Sequence, residues 1–127
     1  MSGPRRRVER DERGAVTAET AMALPLLVAV TVGLVWLLAV GVAQVRVVDA
    51  ARETARAAAR GDSDAEAVAV GRRVAPDGAS LGVSSLGERV EATAAAPVAG
   101  PGGIFGFLPT VTVRAEAVAV AEQRDAP

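Results

Sequence analysis

From Thr20 to Val45 the chain carries no charged residue, and one carboxylate, Glu19, stands at the near edge of that run. The 25 residues from Ala21 to Val45 would extend about 38 Å as a helix, at about 1.5 Å per residue. A bilayer core of about 30 Å is covered by such a helix with some tilt, so membrane lipid is the first expected partner. Glu19 is costly to place in lipid and needs a partner or a water-lined site. Pro25 removes one backbone hydrogen bond and predicts a kink near the entry of the membrane helix. Trp36 falls in the middle of the run rather than at an end, which argues against an interface anchor.

Residues 1–14 are charged and contain Gly3 and Pro4, which reads as a disordered leader. Five Arg against Glu9, Asp11 and Glu12 leave it modestly positive. Arg46, Arg52, Arg56 and Arg60 follow the apolar run closely, so charge favours a cytoplasmic N-terminus only slightly.

Composition narrows the function classes. Cys and His are absent, which removes disulfides, the usual zinc ligands, a thiol nucleophile and an imidazole base. Neither an oxidising nor a reducing compartment is selected by this cysteine usage. No enzyme, no catalytic residue, no metal, no cofactor and no small-molecule substrate is expected. The net charge of -1 gives nucleic acid no evident footprint. Half the residues are hydrophobic but only 2% are aromatic, so any outer domain packs weakly.

Helix character continues beyond the apolar run. Asp49-Ala50-Ala51-Arg52-Glu53-Thr54-Ala55-Arg56-Ala57-Ala58-Ala59-Arg60 is rich in strong helix formers. One helix over 15–60 would measure about 68 Å. Arg52, Arg56 and Arg60 recur at i+4 and read as a solvated face with internal ion pairs, rather than as a headgroup site. Gly61 is a stop signal. Ser63 with Glu66 forms a capping box for a second helix reaching about Val74, and Pro76-Asp77-Gly78 turns the chain.

Strand character starts at Ser80. Val90, Ala92 and Ala94 alternate with polar residues, and Val111, Val113, Ala115 and Ala117 share one face of a clearer strand. The fold class is therefore α+β. A long transmembrane helix continues outside the membrane, a short second helix follows, and a small antiparallel β region ends the chain. The boundaries are 1–14 for the leader, 15–60 for the helix and 61–127 for the outer domain, with a frayed tail from Gln123. Between the strands, residues 97–109 form a Pro/Gly-rich loop carrying Ile104, Phe105, Phe107 and Leu108. These side chains suit a partner contact, yet the domain has little else large to bury, so they are expected to supply its core.

Small residues four apart, Ala29/Gly33 and Ala39/Ala43, permit close helix approach but reflect abundant alanine. Gly41-Val42-Ala43 resembles a signal-peptidase site, but the apolar run before it exceeds the usual length of about 7–15 residues.

The order of Arg-rich leader, Gly14, Glu19 and apolar helix resembles the front of a type IV prepilin. Over the whole chain the resemblance is to the TadE-like family of tight-adherence pilus systems. It rests on Arg13-Gly14-Ala15-Val16-Thr17-Ala18-Glu19, on Leu24-Pro25, and on Gln44-Val45-Arg46 leading into Asp49-Ala50-Ala51-Arg52-Glu53-Thr54-Ala55-Arg56. The likeness implies a minor pilin or pseudopilin that assists assembly or secretion of a pilus. It implies processing by a prepilin peptidase between Gly14 and Ala15, with Glu19 as the assembly glutamate. Implied partners are the peptidase, other pilins and pilus assembly proteins. The implied location is the cell membrane, single-pass, N-terminus cytoplasmic and C-terminal domain extracytoplasmic. Thr20 stands where major pilins of the system carry tyrosine, and the β region is absent from them, which favours a minor pilin. The competing readings are a membrane-anchored interaction module unrelated to pili, and a small secreted protein cut after Ala43.

Overall fold

A computed structural model describes residues 5–123 of the chain, with side chains from Arg10 onward. Residues 1–4 of the expected leader, Gly3 and Pro4 among them, and residues 124–127 of the expected tail lie outside the described residues. The elements are α1 (Arg5–Ala59), α2 (Asp64–Arg72), β1 (Ser80–Leu86), β2 (Arg89–Val98), a 3-10 turn (Gly103–Phe105) and β3 (Val111–Val120). The α+β class expected from the sequence is the class observed. The chain divides into two compact units, Met1–Val35 and Trp36–Pro127, and α1 contributes to both.

The charged residues ahead of Gly14, read above as disordered, are helical from Arg5. Arg and Glu are good helix formers, and the two breakers Gly3 and Pro4 precede the helix start. α1 also continues through Pro25.

Helix α1 stops at a glycine, as its sequence predicts. Gly61 takes φ +99°, its N–H donates to Ala58 O at 3.0 Å, and Asp62 N–H donates to Ala57 O at 3.2 Å. This pair of bonds is a Schellman closure, satisfying carbonyls the helix leaves open. The Ser63/Glu66 capping box is formed: Ser63 N–H donates to Glu66 Oε2 at 2.9 Å, and Glu66 N–H donates to Ser63 Oγ at 3.3 Å.

The Ser63 backbone N–H first, and then the Ser63 hydroxyl, which donates to Glu66 Oε2 at 2.8 Å, hold the Glu66 carboxyl below the ordinary glutamate range. A carboxyl depressed in the folded state stabilises the fold above its unfolded pKa, and that contribution is lost as pH falls through the folded value. Ser63→Ala removes the hydroxyl and keeps the backbone N–H, so it is expected to move the Glu66 titration part of the way back toward the ordinary range and to fray the start of α2. An NMR titration of the side-chain carboxyl checks it; an unmoved titration would show that the Ser63 hydroxyl is not a cause.

The strands form an antiparallel meander in the order β1-β2-β3. A two-residue turn, Gly87-Glu88, joins β1 to β2, and Gly87 sits at φ +63°. Pro97 lies inside β2 opposite Thr112, not in the following loop. Its missing N–H is tolerated there because β1 begins only at Ser80, opposite Ala95, so β2 has β3 alone beside it at that point.

One sheet face packs on α1. Val90, Ala92, Ala94 and Ala96 of β2 and Val113 of β3 are buried, and Ala94, Ala96 and Val113 join Ala43, Val47, Ala50 and Ala51 of α1 in one cluster. The largest fully buried side chains are Val47 and Thr54. Such small residues bring helix and sheet close together. Each contributes little apolar area, so the unit depends on fit rather than on bulk.

The expectation that Ile104, Phe105, Phe107 and Leu108 form the core is therefore corrected. Alanines occupy the space between α1 and the sheet, leaving no room for a bulky loop. Ile104 is 85% and Phe107 77% exposed, while Phe105 and Leu108 are half-buried. The loop packs on itself instead: the Phe105 and Phe107 rings lie 6.4 Å apart and tilted, and Leu108 covers Gly100, where a Cβ would come within 2.9 Å of Leu108 O.

Candidate functional site

In the first unit the site residues lie along α1. Gly14 and Ala15 are helical, and a Cβ added at Gly14 would meet nothing within 4 Å. No packing requirement of the described residues therefore calls for glycine there, although glycine inside a helix costs about 1 kcal/mol relative to alanine. Glu19 lies one turn further on, exposed, with no ion pair or side-chain hydrogen bond among the described residues. Its hydroxyl neighbours are occupied: Thr17 Oγ1 donates to Arg13 O and Thr20 Oγ1 to Val16 O, each at 2.9 Å.

Beyond Glu19 the helix is apolar on every side. Leu24, Leu26, Leu27, Val28 and Val30 are all exposed, and near-consecutive positions at 100° steps go around the whole cylinder. A helix apolar all round needs lipid or other helices as its surroundings. The segment is long and apolar enough to cross a membrane. Pro25 sits within it, one turn beyond Ala21.

In the second unit three polar side chains of α1 tie the helix to the rest. Trp36 Nε1 donates to Ala99 O at 3.1 Å, at the start of the apolar loop. Gln44 Nε2 donates to Arg114 O at 3.0 Å on β3. Arg46 donates to Val74 O at 3.2 Å and to Ala75 O at 2.9 Å, just past the end of α2. The sequence reading assigned Trp36 no role, quoted Gln44 for the likeness, and used Arg46 for the likeness and the charge balance. The signal was available, since these are the polar-tipped residues on an otherwise greasy stretch, but their partners are 28 to 70 positions away.

The Arg row is distributed as expected of a solvated face. Arg56 Nη1 pairs with Glu53 Oε1 at 3.0 Å, and Arg60 Nη2 lies 3.9 Å from Asp62 Oδ2. On the outer face of the sheet a broad depression is lined by Gly82, Thr93, Arg114 and Glu116. No metal-binding cluster occurs among the described residues.

Comparison with known proteins bears on the front of the chain. Residues 14–56 match the family model of TadE-like proteins. A Mycobacterium tuberculosis protein named Apoptosis inhibitor Rv3655c is 46% identical over 79 residues, covering 62% of this chain and 57% of that protein. The chain thus spans little more than half the length of this relative. No solved structure matches. TadE-like proteins are pilin-like and associated with other components of tight-adherence pili, and the family is not known for enzymes. The apolar α1 segment and this match both fit a membrane-anchored protein. The matched stretch begins at Gly14 itself and ends at Arg56, and over those residues the chain is similar to TadE-like proteins.

Proposed function

We propose that the chain is a minor pilin or pseudopilin of a tight-adherence pilus. A prepilin peptidase cuts it between Gly14 and Ala15, and the product assists assembly or secretion of the pilus. The observation that carries this reading is Gly14: a glycine inside α1, unexplained by any neighbour, at the first position of the TadE-like match. The residue fits a peptidase that needs an unhindered, easily unwound backbone, because glycine lowers the cost of leaving the helix. The N-terminus then faces the cytoplasm and residues beyond about Arg60 face away from it.

Secretory cleavage after Ala43 fits poorly. Ala43 belongs to the buried cluster with Val47 and Ala50, so the cut would remove part of α1 from the core of the second unit. A module unrelated to pili accounts for the apolar helix but not for the glycine.

The test is the N-terminal residue of the mature protein. Co-expressed with a prepilin peptidase, the parent is expected to begin at Ala15, whereas Gly14→Leu should stay at full length. A parent that remains uncut, or begins at Gln44, overturns the proposal; so does a Gly14→Leu variant processed like the parent.

A further inference from the structure

We propose that the loop between β2 and β3, together with Trp36, forms an interfacial membrane contact. Its ligand is the lipid headgroup layer on the β-sheet side of the bilayer. The inference rests on the membrane-anchored reading of α1 and adds a second, separate point of attachment.

Four observations within the second unit converge. The Trp36 indole donates to Ala99 O, which places the start of the loop at the level of Trp36 on α1. The loop then turns its apolar side chains outward: Ile104 and Phe107 are among the most exposed large hydrophobic residues of the chain, and Phe105 is only half-buried. No charged residue occurs from Ala92 to Val113, so the loop and both strand ends that carry it are free of charge. Past Trp36, α1 packs against the sheet through Val40, Ala43 and Val47, so lipid chains cannot surround it there.

The last point sets where the hydrocarbon ends. Thr20 to Trp36 is 17 residues, about 26 Å of helix at about 1.5 Å per residue. That is within the range that spans a bilayer. Trp36 then falls at a membrane–water boundary, where tryptophan is favoured because its ring is apolar and its N–H is polar. This reverses the reading of Trp36 as a mid-membrane residue. The irregular, glycine-rich backbone of the loop is excluded from the hydrocarbon itself, because its unpaired N–H and C=O groups have no partners there. The headgroup layer suits it: backbone groups stay hydrated while Ile104, Phe105 and Phe107 reach the acyl boundary. Lipid is favoured over a protein partner because α1 enters lipid at the level where the loop begins.

The chain has one Trp and no Cys, which makes the test direct. The full chain is placed alone in lipid nanodiscs, and Trp36 emission is read with lipids brominated near the headgroup or near the acyl end. In separate samples an environment-sensitive fluorophore is attached through Ile104→Cys, Phe107→Cys or, as an exposed control on β1, Ser84→Cys. Quenching by headgroup-proximal spin-labelled lipid and by aqueous iodide is then compared. We expect Trp36 to be quenched most by the headgroup-proximal bromines. Labels at 104 and 107 should be quenched several-fold more by lipid, and several-fold less by iodide, than the label at 84. Labels at 104 and 107 that behave like the control, while Trp36 is still quenched by lipid, overturn the loop contact and leave the anchor intact. Trp36 untouched by any lipid overturns the anchor as well. Strongest quenching of Trp36 by acyl-end bromines overturns the interfacial placement. Protection of the loop labels only in assemblies with other pilus subunits overturns the lipid proposal in favour of a protein partner. The Trp36 measurement uses the unaltered chain, so no substitution that impairs folding can mask the result.

Discussion

Gly71→Ala is expected to unfold or severely destabilise the second unit, although it adds a single methyl group. Gly71 lies on the buried face of α2, where the backbones of α2 and α1 meet. A Cβ there would come within 1.9 Å of Thr54 Oγ1, 2.8 Å of Ala50 O and 2.8 Å of Leu81 Cδ2. Leu81 can rotate away. Thr54 is fully buried and its hydroxyl donates to Ala50 O at 2.8 Å, and the Ala50 carbonyl is helix backbone. The clash is relieved only by moving α2 off α1, which also pulls at Ala67, buried on the same helix. Overpacking of this kind costs about 1–3 kcal/mol where side chains can adjust, and more is expected where backbone must move. For a domain of this size about 3 kcal/mol lowers Tm by roughly 12–24 °C. Thermal unfolding of the full chain in detergent measures it. Thr54→Ala in the Gly71→Ala background should recover part of the loss, since it removes the closest clash and leaves the carbonyl. A Gly71→Ala chain that melts with the parent would show that α2 does not pack as described.

Glu19→Gln is the second large effect expected, on assembly rather than on folding. Within its own chain Glu19 has no partner among the described residues, and it sits beside an apolar segment that needs lipid or other helices. On the proposed function, cleavage creates an amine at Ala15. In packed subunits the Glu19 carboxylate of one neutralises the amine of a neighbour, as buried charges require. Glutamine keeps the shape and removes the charge. Membrane insertion and cleavage should match the parent, while co-purification with other pilus subunits falls by roughly two to three orders of magnitude, the scale of the ~3–5 kcal/mol lost when a buried charge is left alone. Assembly of Glu19→Gln at the parent level would leave Glu19 as an edge residue of a plain anchor.

The parts of this protein that depend on local chemistry were legible in the chain before any fold was known. The charge-free run, the Gly61 stop, the Ser63/Glu66 cap and the alternation of Val111 to Ala117 each act through neighbours a few residues away, so their consequences can be read without a fold. The resemblance that begins at Gly14 was legible for the same reason: its features lie within a few turns of one helix. What the bulky residues do follows from packing between distant segments. The sequence shows four large apolar side chains in one loop and a domain short of them, which argues for a loop buried in the core. The alanines of α1 and β2 instead bring helix and sheet so close that the core is complete without the loop, and Ile104 and Phe107 stay outside. Gly71 lies inside the helix that the Ser63/Glu66 cap begins, and nothing in its neighbours marks it out; its tight contact comes only from α1. Trp36 read as mid-run until the Ala99 carbonyl, 63 positions away, was found at its N–H. In each case the deciding term is contact between segments remote in sequence, which periodicity and propensity do not carry.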